Sequence, residues 1–181
     1  MTDSQDPYGT LERPDGGAGR LRFERTLEHP REQVWRAVTE PEQLAHWFPT
    51  TIEGERRPGA RLRFGFPDER WPAFEGEMLA FEPPSLMQIR WGGDVVRIEL
   101  AELGRERTAL TLLVTLDELG KAARDGTGWH RCLDALAAEL GGDAAARRLL
   151  SDGWQPVNDA YTRRFGPEAS AIGPPEGAEV S

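Results

Sequence analysis

The stretch 126-GTGWHRCLDALAAEL-140 decides the architecture, because it carries the one long, unbroken helical period in the chain. Trp129, Cys132, Leu133, Leu136 and Leu140 recur at helical spacing on one face, while Arg131, Asp134, Ala138 and Glu139 fall away from it. The spacing predicts an amphipathic helix over 127–140, ended by Gly141-Gly142. Its mouth holds a Trp129-His130 pair that reads either as a working site or as a packing device. His130 lies one residue past Trp129, about 100° around the helix from the apolar stripe, so it is expected on the solvent side with Asp134 at i+4 as partner.

A helix with one apolar face needs a surface to cover, and the residues before it supply a sheet. RLRFGF (61–66), FEGEMLAF (74–81), LMQIRW (86–91), VVRIEL (95–100) and TALTLLVTL (108–116) are short β-type runs. PDER, EPPS, GGD and LGRER separate them, and sequential strands joined by tight turns make an antiparallel meander. Further back, Leu21, Phe23, Arg25 and Leu27 alternate with polar residues as in a half-buried strand. Pro30 then opens a helix through REQVWRAVT, whose Val34, Ala37 and Val38 share a face. Thr39 and Glu42 have the spacing of a capping box, which predicts a second short helix presenting Leu44, Trp47 and Phe48 and stopped by Pro49.

The ends differ in composition from this middle. YGTLER (8–13), PDGGAG and RLRFERTL (20–27) fit a hairpin, so residues 1–19 read as an extension that adds a strand or stays without order up to Gly19. The domain proper spans 20–141, a short helical segment is appended at 142–166, and the Gly-, Pro- and acid-rich residues 167–181 read as a flexible tail.

Composition bounds the function. At 181 residues, with 22 basic against 31 acidic side chains and a net charge of −9, the chain suits one domain whose field repels nucleic acid and anionic membranes. One cysteine, Cys132, leaves no disulfide and no multi-cysteine zinc site; on the core face it is a small buried hydrophobe. The first ten residues have no apolar h-region and no run of about eighteen apolar residues exists, which points to a cytoplasmic protein without membrane insertion. Three scattered histidines, His29, His46 and His130, lack metal-ligand spacing, and neither a phosphate-binding glycine loop nor a G-x-S-x-G elbow is present, so no metal or cofactor is expected.

The order strand, two small helices, strand meander, long helix resembles the helix-grip fold of the START-like, or SRPBCC, superfamily. Within it, LRFERTLEHPREQVWRAVTEPEQLAHWFP (21–49) resembles the opening signature of the branch named after the activator of the heat-shock-protein ATPase. RPGARLRFGF, EGEMLAFEPPSLMQIRW and DELGKAARDGTGWHRCLDALAAEL match further along, and 154-WQPVNDAYTRRFG-166 looks like the helix often appended in bacterial members. The resemblance implies an α+β helix-grip fold, with a curved antiparallel sheet wrapped around the C-terminal helix and an apolar cavity under that helix.

Six tryptophans and seven phenylalanines supply such a cavity. The residues expected to line it on the strands are Phe23, Arg25, Phe64, Phe74, Gly76, Met78, Ile89, Trp91 and Ile98; the helices contribute Val38, Trp47, Phe48, Trp129, Leu133 and Leu136. Trp129 is the expected wall or lid. Arg25 either anchors an acid from the buried side of its strand or is exposed where the strand twists. Gly76 marks a bend or leaves room for something bulky. Glu75 and Glu77 point to water if Phe74 and Met78 point inward, which removes a paired-carboxylate site, so no catalytic residue is assigned.

The expected function is non-catalytic binding of a hydrophobic or amphipathic small molecule between the last helix and the sheet. Two alternatives follow from the resemblance: a domain binding a protein partner, of the chaperone-ATPase-activator type, or an enzyme of the polyketide cyclase or aromatase kind. Twenty residues before the first strand leave no room for the chaperone-binding domain of a two-domain activator. A homodimer is left open.

Overall fold

The computed structural model describes residues 6–175, and Met1–Gln5, at the head of the expected extension, lie outside them together with 176–181. Seven antiparallel strands form one curved sheet in the order β1-β2-β7-β6-β5-β4-β3. They are β1 (Thr10–Glu12), β2 (Arg20–Leu27), β3 (Arg61–Phe64), β4 (Phe74–Glu82), β5 (Leu86–Trp91), β6 (Asp94–Gly104) and β7 (Arg107–Thr115). The helices are α1 (Arg31–Thr39), α2 (Pro41–Leu44), α3 (Ala122–Leu140) and α4 (Trp154–Phe165).

The alternation of each strand sets which face is dry. Phe23 pairs across Leu112 and Leu112 across Ile98, while Val96, two residues from Ile98 on the same face of β6, pairs across Ile89, which in turn meets Met78, so an apolar face crosses the sheet. All six are buried with α3 residues Cys132, Leu133, Ala135 and Leu136 in a single core. The opposite face carries charged pairs such as Arg97 with Glu99. Bulges between Met78 and Ala80 and between Glu102 and Gly104 bend the sheet, as inserted residues do. The fold is therefore a helix grip, and β1 pairs with β2 at the edge of its sheet.

Four sequence expectations change. Helix α3 begins at Ala122, five residues before the predicted start. Burial of Ala122 and Ala123 outweighs the weak helical preference of the glycines, and the Thr127 hydroxyl donates to the Ala123 carbonyl at 2.7 Å. The capping box does not form: Thr39 closes α1 by donating to the Trp35 carbonyl at 2.7 Å, and Glu40 caps α2. Pro41 explains this, because the residue before a proline is pushed into extended conformation, here ψ 132° at Glu40.

The stretch 167–175 is not a loose tail. Pro167–Ser170 makes a turn of 3-10 helix with Ala169 fully buried, and the Ile172 amide donates to the Gly120 carbonyl at 2.9 Å. Composition hid this because the segment docks on the start of α3 instead of building a core of its own. Last, His130 is buried, at 5% exposure, because α4 and the N-terminal segment cover the side of α3 expected to be wet.

Candidate functional site

An aromatic cleft of about 540 Å³ opens at one end of the sheet, beside the first half of α3. The β5–β6 hairpin turns in two residues, Gly92-Gly93, with Gly92 at φ +63°, and sets Trp91 and Asp94 on either side of the turn. Trp91 and Phe74 form one wall, Phe66 and Trp71 from the β3–β4 loop a second, and Trp129 of α3 with Trp154 of α4 a third. Pro174-Pro175 runs along the rim.

The rings meet edge to face. Phe74 and Trp91 lie 5.5 Å apart at 76°, Trp91 and Trp129 5.4 Å apart at 66°, and Phe66 and Trp71 5.1 Å apart at 69°. Such packing is favoured by the ring quadrupoles and fixes the wall shape. The Trp91 indole N–H donates to the Thr50 hydroxyl at 3.1 Å, which holds that ring in place.

One end of the cleft is polar. The Lys121 ammonium donates to Asp94 at 2.7 Å, sits 2.6 Å from Asp117 and 3.7 Å from Asp125. Burial works against its charge, but Asp117 and Asp94 more than offset this and keep its pKa above the ordinary lysine value. Burial raises the Asp94 carboxyl above its usual range, against the pull of Lys121 and of the Asp117 N–H that it accepts at 3.0 Å. Arg124 completes this end, with its Nε on Asp125 at 2.7 Å and Nη1 toward the Gly173 carbonyl at 3.4 Å.

Of the fifteen residues read from sequence as ligand-lining, the cleft takes Phe74, Trp91 and Trp129. Phe48 and Phe64 stand one layer behind, Phe48 against Trp129 at 5.5 Å and Phe64 stacked on Phe74 at 5.1 Å. Phe23, Val38, Trp47, Met78, Ile89, Ile98, Leu133 and Leu136 are buried in the core, so the middle of the helix–sheet interface is filled and the open volume is displaced to its end. Gly76 leaves no gap for a ligand: a Cβ there would run into the Arg90 carbonyl and the Phe64 ring.

Arg25 lies elsewhere, half-buried, with Nη1 donating to the Glu24 carbonyl at 3.0 Å. Its Nη2 is buried and meets no hydrogen-bond acceptor among the described residues, so simple exposure is not its state. Burial lowers its pKa, partly offset by the charge of Asp134.

His130 is also outside the cleft. Tyr161 accepts the Gly9 N–H at 2.8 Å, and its hydroxyl lies 3.0 Å from His130 Nδ1, while Nε2 is 3.5 Å from Asp134. With Tyr161 donating to Nδ1, the ring proton sits on Nε2 and faces Asp134. Burial pushes the His130 pKa down to about 4, against the nearby Asp134 carboxylate, so the ring is neutral near pH 7 and serves as a tie between α3, α4 and the N-terminal segment. The Cys132 thiol is pushed up to about 12 by full burial and behaves as a small hydrophobe.

Sequence reading missed Phe66, Trp71, Trp154 and the Asp94-Lys121 corner. Trp71 and Trp154 lie in stretches that read as a loop and an appendage, and Phe66 ended the run read as a strand, RLRFGF, whose observed strand stops at Phe64. The GGD turn before Asp94 was a usable signal, since a two-residue hairpin puts both flanking side chains at one edge.

The comparisons agree with this architecture. Residues 28–141 match the family described as Activator of Hsp90 ATPase homolog 1-like protein. The fold is similar to a conserved protein of unknown function from Enterococcus faecalis, at 20% identity and TM-score 0.74, over 87% of this chain and 90% of that one. It is similar to CalU16 from Micromonospora echinospora at 25% identity and TM-score 0.67, over 87% and 96% of the two chains. DynU16, a protein of the dynemicin biosynthetic locus, aligns at 27% identity and TM-score 0.62 over 71% of this chain and 49% of its own. No curated protein matches the sequence. With the signature at 21–49, the helix-grip sheet and the match over 28–141 in agreement, the chain belongs to the Activator of Hsp90 ATPase homolog 1-like family of the START-like superfamily.

Proposed function

We propose that the protein binds a hydrophobic or amphipathic small molecule in the aromatic cleft and carries out no chemistry on it. The observation that carries this reading is a cleft of about 540 Å³, walled by six aromatic side chains and closed at one end by an ordered polar cluster. That is the volume and the balance of apolar wall and few polar groups expected of a small-molecule site. DynU16, from the dynemicin biosynthetic locus, gives support of a different kind.

A protein-partner role is supported less. Among the described residues Leu103 is the one large apolar side chain that is strongly exposed, so outside the cleft there is no broad apolar patch for docking. Among the described residues a cyclase-type role lacks a free acid or base at the cleft: Asp94 already accepts from Lys121 and Asp117, and His130 lies on another side of α3.

The test is native mass spectrometry of the protein purified from its own host. A bound small molecule that leaves on denaturation is the expected result. If none co-purifies, and a lipid and aromatic library yields no thermal shift, the reading fails.

A further inference from the structure

Arg124, Asp125, Gly128 and Trp129 face the cleft as one stripe of α3, and Lys121, the residue that precedes the helix, stands at its head at the same spacing. The same stripe continues into Cys132, Leu133 and Leu136, where it is filled with side chains that touch the sheet. Gly128 is the gap in it. A glycine inside a 19-residue helix is unfavourable, exceeded only by proline, and calls for a physical reason.

Neither of the usual reasons applies. Gly128 is not among the glycines with positive φ, so its backbone does not require glycine. A Cβ built on it meets nothing within 4 Å, so no neighbour requires its absence. Gly126, two residues earlier, shows the contrast: there a Cβ would stand 3.3 Å from both Tyr161 and Phe165, and close packing of α4 explains the glycine. At Gly128 the missing side chain faces only the open cleft.

Resting on the small-molecule reading of the cleft, we propose that Gly128 is its size-selecting floor, kept bare so that a flat, fused aromatic ligand without an acidic group can lie across the helix backbone. The walls favour flat rings, because Phe66, Trp71, Phe74, Trp91, Trp129 and Trp154 offer faces and edges for stacking. The polar end disfavours an anion. Three carboxylates, Asp94, Asp117 and Asp125, stand against two cations there, and the Lys121 ammonium is already shared among all three. Asp125 also takes the Nε of Arg124, which is the other cation. Aromatic faces and surplus carboxylate together accept a neutral or cationic ring system.

The experiment uses the full chain and four probes: hydroxymethyl anthracene (flat, neutral), proflavine (flat, cationic), anthracene carboxylate (flat, anionic) and adamantane methanol (globular, neutral). The two flat non-acidic probes bind the natural protein, and the other two bind roughly tenfold weaker or less, measured by fluorescence titration and calorimetry. Gly128→Leu keeps its fold by circular dichroism and loses roughly tenfold or more in affinity for hydroxymethyl anthracene. Gly128→Ala, read without any ligand, raises the melting temperature by about 2–4 °C, since it removes a helix penalty and meets no clash.

A lower melting temperature for Gly128→Ala overturns the proposal, because Gly128 then serves the fold. Unchanged flat-probe binding by Gly128→Leu overturns it while leaving the small-molecule reading intact. Adamantane methanol binding as well as hydroxymethyl anthracene, or anthracene carboxylate binding as well as proflavine, overturns the ligand class alone. A natural protein that takes none of the four overturns the ligand class and counts against the small-molecule reading itself.

Discussion

The two halves of α3 carry the same stripe and do opposite things. In the second half Cys132, Leu133, Ala135 and Leu136 are at most 2% exposed and share one core with Phe23, Ile98 and Met78 of the sheet. In the first half the stripe passes through Asp125, Gly128 and Trp129, with Lys121 just before the helix, and borders an open cleft. The helix is continuous, so the difference lies in side-chain volume and in what stands opposite. The second half belongs to a core that the sheet fills with large side chains such as Phe23, Ile98 and Met78; the first borders the Gly92-Gly93 turn. A helix-grip scaffold thus encloses space only where its stripe thins out, and the location of that space is a property of a few small residues, not of the fold.

If the second half is filled, truncating it leaves a void. Leu136→Ala is expected to cost about 2–5 kcal/mol in urea unfolding, the range for buried leucines in a core that collapses only partly, with cleft binding preserved in the folded fraction. A cost below about 1 kcal/mol would mean that the middle of the interface holds slack and that the filled–open contrast is wrong. Gly76→Ala sharpens the same contrast from the sheet side. Here the added methyl meets the Arg90 carbonyl and Phe64, and overpacking of this kind costs about 1–3 kcal/mol, opposite in sign to the same change at Gly128.

Much of this was legible from sequence and some of it was not, for physical reasons that differ by region. Alternation in RLRFERTL placed β2 and β-type runs such as VVRIEL placed the later strands, because period two survives any tertiary context that keeps one face dry. Trp129 was read as a wall or lid because it heads the apolar stripe of the last helix, and it borders the cleft. The sequence reading grouped the residues that fill the helix–sheet interface with those that border the cleft, since periodicity reports which face is buried and says nothing of how completely it is filled. His130 was placed on the wet side because a helical wheel cannot know that α4 and Tyr8 pack there. Trp154 and Pro174-Pro175 escaped notice because they come from segments whose order depends on docking.

His130 also offers a pH test that separates the covered side of α3 from the cleft. Burial holds its pKa near 4, below an unfolded value of about 6.5, so the unfolded chain binds more protons in between. Stability is therefore complete above about pH 6.5, falls as pH drops toward 4, and levels off below. Between pH 7 and 5 the loss from this group is about 2 kcal/mol. It is set by burial first, with Asp134 and Asp6 favouring the charged ring and Arg25 and Arg131 opposing it. Urea unfolding at the two pH values measures it, and His130→Gln is expected to flatten the slope. An unchanged slope in His130→Gln would place the titration elsewhere.

The smallest expected effect probes the cleft without touching the core. Trp71 is partly exposed on the β3–β4 loop and packs edge-on against Phe66, so its ring belongs to the wall and to little else. Trp71→Ala removes one aromatic face and is expected to weaken a flat aromatic probe by about 0.5–1.5 kcal/mol, the worth of one such contact. Its unfolding free energy should move by less than about 0.5 kcal/mol, as for a surface change away from the core. The pairing of these two readouts carries the weight. A large stability loss would assign Trp71 to the fold, and unchanged probe affinity would show that the ligand sits deeper, against Trp91 and Trp129 over Gly128, so that the outer wall is only a rim.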